Sequence, residues 1–280
     1  MPYIRLLGGL GNQLFQVAAG QVIQSDRGLP VVYDCSWYTN PAPGDSHRQL
    51  EVQDLLDGSR CRSFSRVVRK AAYSPRNPLL ITERGPDDDL LSRPLRRHSF
   101  LHGYFQLAKH PIRVRRELLA MFEPKLALAP AGPVDAIAMH VRLGDYFHNK
   151  TTRDHHGLLS PSYYVEALRR LRGAGYGGQV VVFTDSPEVF AEEYRLALEG
   201  DVILADTTGA WETMSAMASY RAIVIANSSL SWWSAFIATQ AQGGDTMIVR
   251  PQPWFGQPSA ADENLALPTW QPLTRTSWQR

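Results

Sequence analysis

The sequence predicts an α/β protein built from two Rossmann-type domains, and two observations support this prediction. Near the N-terminus, an apolar strand at 3–7 runs without a linker into glycines and then into an amphipathic helix at about 12–26. Between 135 and 250, five apolar strands alternate strictly with four helical segments. Strands that alternate with helices pair in parallel through right-handed crossovers, so the pattern predicts doubly wound sheets.

The N-terminal half opens as a βαβ unit, with a second strand at 30–34 after the helix. The long stretch that follows is rich in Arg, Pro and Asp, and it contains an aromatic segment at 100–105 and a predicted helix at 111–122. The run Ala-Pro-Ala-Gly-Pro at 129–133 breaks any regular element and predicts the domain boundary. We therefore predict domains at 1–130 and 134–250, followed by a C-terminal tail at 251–280 that packs back on them.

The C-terminal half is more regular than the N-terminal half. Ser160 and Ser186 each place a capping hydroxyl before a proline, which predicts two helix starts. Ligands bind at the carboxyl ends of the strands in such a sheet, so the residues after each strand are the first candidates for a functional site. The predicted strands lie at 135–141, 179–184, 201–204, 221–226 and 246–250, and the predicted helices at 161–172, 187–198, 211–220 and 229–240.

Composition excludes several classes of protein. The chain has 280 residues, of which 44% are hydrophobic, and a formal net charge of +2 at pH 7. Its basic residues fall in short clusters that are typical of solvated helix faces, so we expect no nucleic-acid partner. A basic rim that attracts a phosphorylated or membrane-bound substrate, and with it a peripheral membrane contact, stays open.

The chain contains two cysteines, Cys35 and Cys61, without the spacing of a zinc site. The sequence therefore predicts neither a disulfide framework nor a structural metal and favours a reducing compartment. Met1 leads directly into the first predicted strand, so we expect no signal peptide, and the longest apolar runs, such as 222–226, are far shorter than a membrane span. We therefore expect a cytoplasmic protein without a transmembrane segment.

Polar residues follow the first two strands of the C-terminal half. Arg142 offers a planar fork of donors that suits a phosphate, and its structural alternative is an ion pair with Asp145. Asp185 suits paired hydrogen bonds from a guanine edge or a ribose, and equally a cap on the following helix. His140, at a strand end, fits a near-core histidine as well as a catalyst.

Two further segments offer donors to an anion. A predicted helix N-terminus carries three polar residues, where capping alone needs one. In the N-terminal half, the glycines between the first strand and its helix lack a Cβ and accept positive φ. Backbone N–H groups can therefore approach an anion there. The alternative is that these glycines only form a tight turn. These residues are Asn227, Ser228 and Ser229 in the C-terminal half and Gly8, Gly9 and Gly11 in the N-terminal half.

Four segments, in this order, resemble the bacterial α-1,2-fucosyltransferases. They are Gly8-Gly-Leu-Gly-Asn-Gln-Leu-Phe-Gln16, His140-Val-Arg-Leu-Gly-Asp-Tyr146, Phe183-Thr-Asp-Ser186 and Ala226-Asn-Ser-Ser-Leu-Ser-Trp-Trp-Ser-Ala-Phe236, with Pro253-Trp-Phe255 and Pro268-Thr-Trp270 in the tail. The resemblance implies a GT-B fold, in which an acceptor-side N-terminal domain and a donor-binding C-terminal domain face each other across a cleft. It implies inverting transfer of L-fucose from GDP-β-L-fucose to a hydroxyl of a galactoside-type acceptor, without a metal or other cofactor.

The resemblance also assigns roles to residues of this chain. Arg142 would bind the β-phosphate of the donor and stabilise the leaving GDP, and His140 and Asp185 would contact the guanine. The serines after the fourth strand would hold the pyrophosphate, and the glycine loop would approach it from the other domain. Leu143 departs from the family pattern, which commonly has a second arginine there, and this leaves the donor sugar open. The donor-binding set is Gly9, Gly11, Asn12, His140, Arg142, Asp185, Asn227, Ser228 and Ser229.

Inverting transfer requires a base near the acceptor hydroxyl, and several residues qualify. Asp145 is the first candidate because a family motif includes it, and its alternative role is to position Arg142. The other candidates lie in the polar loop before the helix at 161–172. They are His148, Asp154, His155 and His156.

Other functions stay open at this point. A related inverting transferase would use a different GDP-sugar, and an inactive nucleotide-sugar sensor would keep the same binding residues. An NAD-dependent oxidoreductase needs an acidic residue after the second strand, which Asp34 provides, but Gln13 stands where its fingerprint requires a third glycine. The acidic run at 87–89 resembles a metal motif, but it follows Gly-Pro in a polar loop and is interpreted as surface.

Overall fold

The computed structural model describes residues 1–39, 48–56, 60–126, 133–144, 147, 153–154, 156–242, 245–259 and 261–275. The chain forms two compact units, Met1–Glu123 and Pro124–Arg280. Each unit contains one parallel sheet with helices, so the predicted α/β fold with two Rossmann-type units is confirmed. Residues 129–132 of the segment predicted as the boundary, at 129–133, lie outside the described residues.

Unit 1 contains a five-stranded parallel sheet, called sheet 1, with the strand order β3-β2-β1-β5-β4. Its short 3-10 helices lie at Gln53–Leu55 and Leu90–Ser92. Its strands are β1 (Tyr3–Arg5), β2 (Val32–Asp34), β3 (Cys61–Arg62), β4 (Leu80–Thr82) and β5 (Phe100–His102), and its helices are α1 (Leu10–Arg27), α2 (Ser36–Thr39), α3 (Arg66–Ala72), α4 (Lys109–Arg113) and α5 (Arg115–Phe122).

The helix α1 packs closely on one face of sheet 1. Leu14 and Phe15 are fully buried, and burial of such side chains contributes roughly 1.5–3 kcal/mol each. Gly20 allows this close packing, because a Cβ there would stand 2.1 Å from the hydroxyl of Tyr33 on β2. The helix ends at Gly28, whose φ of 62° is the left-handed cap that glycine favours.

Two expectations for unit 1 need correction. The helix predicted at 111–122 is two helices, α4 and α5, because Val114 leaves the helical conformation at φ −111° and ψ 29°. Cys35 and Cys61 form a disulfide, although the sequence predicted no disulfide framework. The parallel pairing of β2 and β3 brings the two cysteines together, and this pairing has no signal in the cysteine spacing.

Unit 2 contains a six-stranded parallel sheet, called sheet 2, with the strand order β11-β10-β9-β6-β7-β8. The predicted alternation of five strands and four helices is confirmed, and the helix predicted at 187–198 ends early and continues as a 3-10 turn at Arg195–Ala197. The strands are β6 (Ile137–Val141), β7 (Val180–Thr184), β8 (Val202–Leu204), β9 (Ala222–Val224), β10 (Met247–Gln252) and β11 (Gln271–Thr274), and the helices are α6 (Pro161–Gly173), α7 (Pro187–Glu193), α8 (Ala210–Ala218), α9 (Ser229–Ala241) and α10 (Ala261–Asn264).

The sixth strand of sheet 2 comes from the tail. β11 pairs in parallel with β10, from Val249 opposite Gln271 to Gln252 opposite Thr274. Trp270, directly before β11, packs edge-on against Trp232 of α9 with ring centroids 5.6 Å apart. Trp270 and Leu273 of the tail therefore belong to the core of unit 2.

Helix starts in unit 2 follow the predicted positions but not the predicted contacts. Ser160 and Ser186 are the N-caps of α6 and α7, and a proline follows each. Neither side chain caps its helix by a hydrogen bond, and the hydroxyl of Ser160 instead lies 2.7 Å from that of Ser162. Among the described residues, no helix combines the length and the apolar character that crossing a membrane requires.

Candidate functional site

Sheet 2 has a switch point between β9 and β6, because the strand order runs in opposite directions on the two sides of this pair. In sheet 1, β1 lies between β2 and β5 in the middle of the sheet. Ligands of doubly wound sheets bind at the carboxyl edge next to the switch point. The residues that the sequence predicts for the donor site end or follow β6, β7, β9 and β1, so the fold places them at the carboxyl edges of the two sheets.

Asp185 organises the turn that follows β6. Its Oδ2 accepts from the guanidinium of Arg142 at 2.8 Å. Its Oδ1 accepts from the backbone N–H groups of Leu143 at 2.9 Å and Gly144 at 3.1 Å. A Cβ at Gly144 would stand 2.2 Å from Oδ2, so this close approach requires glycine. The carboxylate therefore fixes both the backbone of the turn and the direction of the arginine.

These contacts bear on the structural alternatives for Arg142 and Asp185. Arg142 pairs with Asp185, whereas Asp145 lies outside the described residues. Asp185 does not cap α7, because Ser186 occupies that position. The contact of Asp185 with guanine stays a prediction. Both carboxylate oxygens already bind Arg142 or the backbone of the turn, so a nucleotide would share them with these groups.

His140 lies beside this ion pair and is only 3% exposed. Burial lowers its pKa to about 4; Asp185 opposes this effect and Arg142 adds to it. Its Nδ1 is buried without a hydrogen-bond partner among the described residues. The imidazole is therefore neutral at physiological pH, which suits a hydrogen bond to a nucleotide better than a charge contact.

Leu143 points away from this edge. It is fully buried in the core of unit 2, together with Leu158, Leu159 and Tyr163. A guanidinium at this position would need a different side-chain direction or a buried counter-charge. Leu143, which stands where the family commonly has a second arginine, therefore packs in the core. Arg142 is the charged donor of this turn.

The three polar residues after β9 have different environments. Asn227 is 3% exposed, and its amide donates to the carbonyls of His156 at 2.8 Å and Gly157 at 3.2 Å. Ser228 is the N-cap of α9 and makes no side-chain cap bond, and Ser229 is half-buried in the first turn. The two serines therefore stand where the helix N-terminus attracts an anion, while Asn227 holds a neighbouring loop.

Arg275 holds the same loop and was missed by the sequence analysis. It is 6% exposed and donates through Nη1 to the carbonyls of His156 at 3.0 Å and Trp254 at 3.2 Å. Gly157 makes room for it, with φ 68° and a missing Cβ that would stand 2.1 Å from Nη2. No sequence signal identifies this residue, because its role depends on β11 joining sheet 2.

Only two of the candidate bases are described. Asp154 is exposed. His156 is half-buried, and its ring lies 5.6 Å from that of Phe255, so the loop carrying it is held by Asn227, Arg275 and an aromatic contact. The remaining candidates, Asp145, His148 and His155, lie outside the described residues.

The predicted anion-binding loop of unit 1 has one residue in the left-handed region. Gly8 has φ 80°, whereas Gly9 is the extended N-cap of α1 and Gly11 lies in the helix. A Cβ at Gly9 would meet no described atom within 4 Å, so this position of the loop has free space beside it. Asn12 accepts from the amide of Gln106 at 2.8 Å, which ties the loop to the segment after β5.

The acidic run at 87–89 is held by neighbouring cations. Asp88 pairs with Arg93, and Asp89 contacts Lys109 and the ring of His110. Its interpretation as a surface feature therefore fits these contacts. In the part of the chain that the structure describes, no group of three His, Cys, Asp or Glu side chains could hold a metal ion.

Comparisons with known proteins identify relatives of this chain. A family model described as glycosyl transferase family 11 matches residues 81–274. An α-1,2-colitosyltransferase of Escherichia coli is 26% identical, with 90% of this chain and 91% of the relative covered. The Escherichia coli O-antigen biosynthesis glycosyltransferase WbnK is also 26% identical, covering 90% and 94%. Among solved structures, fucosyltransferase NodZ from Bradyrhizobium matches with 13% identity and a TM-score of 0.45, covering 84% of this chain and 93% of that chain.

Proposed function

Since the chain belongs to glycosyl transferase family 11, we propose that it transfers a 6-deoxy-L-hexose from a GDP-sugar, with GDP-β-L-fucose as the first candidate, to a galactoside hydroxyl in α-1,2 linkage. Transfer proceeds with inversion and without a metal ion. The observation that carries this proposal is the orientation of Arg142 by Asp185, 2.8 Å away, at the switch point of sheet 2.

The charges around Arg142 suit a departing diphosphate. During transfer the acceptor oxygen attacks the anomeric carbon from the face opposite GDP, and the carbon–oxygen bond to the β-phosphate breaks with its electron pair staying on GDP. Negative charge then grows on the phosphate, where a fixed guanidinium and the N-terminus of α9 stabilise it. A guanidinium has five N–H donors, so the bond to Asp185 is compatible with a phosphate contact.

The acceptor proton must leave during the same displacement. We propose Asp145 as the base, because it follows Arg142 by three residues in the motif. His156 is the second candidate, because Asn227 and Arg275 fix its loop through the His156 carbonyl.

The donor sugar is proposed from the family resemblance and from one relative. The relative named α-1,2-colitosyltransferase supports a donor close to fucose, since colitose is L-fucose without its 3-hydroxyl group. A site that hydrogen-bonds this hydroxyl would reject the deoxy sugar strongly, whereas an apolar site would accept both. We therefore propose that fucose and colitose are the two donors to compare first.

A mass-spectrometric assay tests the reaction directly. The purified chain is incubated with methyl β-galactoside and, in separate reactions, GDP-fucose, GDP-colitose and GDP-mannose. We expect a fucoside or a colitoside, and the ratio of kcat/KM for these two donors assigns the sugar. A transfer product from GDP-mannose alone would refute the proposed donor class.

Thermal unfolding tests the nucleotide separately from the sugar. A ligand that binds the folded chain raises its Tm, so GDP should raise Tm more than UDP or NAD at equal concentration. Equal shifts from all three nucleotides contradict the guanine assignment. The transfer assay repeated in a chelator tests the metal, and loss of activity that added Mg²⁺ restores would overturn metal independence.

A further inference from the structure

The segment from Arg60 to Thr82 has an unbalanced charge. It contains six Lys and Arg and no Asp or Glu, whereas the whole chain is nearly balanced, with 29 basic and 27 acidic residues. The segment includes β3, α3 and β4. A run of one sign on a folded surface attracts a partner of the opposite sign. The segment is therefore a candidate interaction surface for an anionic partner.

The helix α3 covers the face of sheet 1 that α1 leaves open. Tyr33 of β2 contacts α1 through its hydroxyl, so the next residue, Asp34, points to the other face. Tyr73, directly after α3, lies beside Asp34 on this other face. The rings of Phe64 and Tyr73, which flank α3, lie 6.3 Å and 6.0 Å from the ring of Phe100. Aromatic packing at both ends therefore holds α3 on the sheet.

The side of α3 that faces away from the sheet combines cations with an apolar side chain. Arg69 faces the protein, where it donates to the carbonyl of Ser36 at 3.2 Å. Arg66 and Lys70 are exposed and lie one turn apart on the helix. Val67 is three residues before Lys70, so it lies on the same side, and it is 78% exposed. The outward side of α3 is therefore both basic and apolar.

The exposed cations of the segment have no acidic partner. Arg62 pairs in register with Asp34, so it lies on the sheet face that α3 covers. Exposed arginines elsewhere do form ion pairs, as Arg113 does with Asp26. Within the described part of the chain, no carboxylate lies within ion-pair distance of the four exposed cations, which are Arg62, Arg66, Lys70 and Arg76.

The exposed valine favours a lipid surface over other anionic partners. Nucleic acids stack their bases on exposed aromatic rings, but Phe64 and Tyr73 pack on Phe100 instead. At an anionic bilayer, cations meet the headgroups while an apolar side chain between them enters the interface. Arg66, Val67 and Lys70 offer both kinds of contact on one side of one helix.

We propose that Arg62, Arg66, Val67 and Lys70, called the α3 surface, dock the chain on an anionic lipid bilayer. Docking requires neither the donor nor the acceptor, so the proposal goes beyond the proposed function and is tested without it. A few cations and one valine give reversible, salt-sensitive binding rather than permanent anchoring.

Co-sedimentation of the purified chain with vesicles tests the proposal. The vesicles contain phosphatidylcholine alone or equal parts of phosphatidylcholine and phosphatidylglycerol. We expect binding to the mixed vesicles only, and weaker binding as salt is raised, because salt screens the charge of the headgroups. Absence of binding to the mixed vesicles at low salt overturns the proposal.

The double variant Arg66→Gln/Lys70→Gln tests the cations of the α3 surface. Each cation near an anionic surface contributes about fivefold to binding, so we expect the partition coefficient on mixed vesicles to fall roughly 25-fold. Arg115→Gln/Arg116→Gln is the matched control, because it removes two exposed cations from α5, which packs with α1. The control should bind as the wild-type chain does. Equal losses in the two double variants would mean that net charge, and not the α3 surface, causes binding.

Val67→Ser distinguishes a bilayer from a soluble polyanion. Because the valine enters the interface, this variant should bind mixed vesicles about fivefold more weakly, with an unchanged Tm. Leu196→Ser is the control, since Leu196 is 93% exposed in unit 2, and it should bind as the wild-type chain does. Wild-type vesicle binding by Val67→Ser overturns the proposal. Binding to polyuridylate or polyglutamate that is as tight as binding to the vesicles overturns it too, and assigns the surface to a nucleic acid or an acidic protein.

Discussion

The carboxyl edges of the two sheets occupy equivalent positions in similar folds but carry different chemistry. At sheet 2, one carboxylate binds a guanidinium and two backbone N–H groups, and every oxygen of Asp185 has a partner. At sheet 1, the Asp34 carboxylate accepts from the backbone N–H of Ser36 and lies beside the hydroxyl of Tyr73, and the guanidinium of Arg5 stacks on the Tyr73 ring. The first edge is organised around an ion pair and a backbone turn, and the second around an aromatic ring.

This difference teaches how one architecture accommodates two unlike substrates. A diphosphate needs a cation whose direction is already fixed, because reorganisation during transfer would cost catalytic rate. A neutral sugar is recognised by hydroxyl contacts, which need paired donors and acceptors rather than a fixed charge. Each of the following predictions tests whether the two edges divide the work in this way.

The largest effect is expected for Arg142→Ala. Loss of one donor to transition-state charge costs on the order of 10²-fold or more in turnover, and we expect that loss in kcat with GDP-fucose. Arg169→Ala is the control, because Arg169 is an exposed arginine of α6 whose partner, Glu166, is on the same helix. Near-native kcat in Arg142→Ala would remove the charged edge from catalysis.

A smaller effect is expected for Gly144→Ala, which keeps every charge. The new Cβ would stand 2.2 Å from Oδ2 of Asp185 and must displace the carboxylate that orients Arg142. We expect kcat to fall roughly 30-fold, because misplacement of about 1 Å costs up to 10²-fold. Gly173→Ala in α6 is the control, since its Cβ meets no described atom within 4 Å. Equal kinetics of the two variants would show that Asp185 does not position the arginine.

Asn12→Ala sharpens the comparison at the N-terminal loop. The family resemblance predicts that Asn12 approaches the diphosphate, in which case the KM for GDP-fucose rises about tenfold, as for one hydrogen bond to a charged group. Gln106→Ala removes only the amide that donates to Asn12 at 2.8 Å and should change the same KM less. A rise confined to the KM for the galactoside would move Asn12 to the acceptor side.

The smallest effect concerns the pH dependence of stability. His140 and His102 both have a folded pKa of about 4, below the usual value of 6.5, so the unfolded chain binds more protons between these pH values. Their contribution to stability is complete above pH 6.5 and is lost as the pH falls towards 4. His140→Gln and His102→Gln should each lose less Tm than the wild-type chain over this window. A variant with the wild-type loss would mean that its histidine is not buried neutral.

Sequence reasoning predicted most of the fold and the charged edge. Strict alternation of strands and helices after residue 134 predicted the elements of unit 2, because apolar runs and helix-start prolines are local signals. Arg142 and Asp185 were singled out because each directly follows a strand. The short strands β3, β4 and β11 were not predicted, since a strand of two to four residues has no periodicity to recognise.

Local sequence determined which segments are strands and helices and which polar residues end them, because burial periodicity and helix capping act over a few residues. Tertiary structure alone decided which of those residues meet. The Arg142–Asp185 pair requires that β6 and β7 be neighbours, the disulfide requires that β2 and β3 be neighbours, and Arg275 requires β11 in sheet 2. Arg5, Asp34 and His102 likewise come together only because β1, β2 and β5 end side by side, a consequence of strand order, which long-range pairing decides.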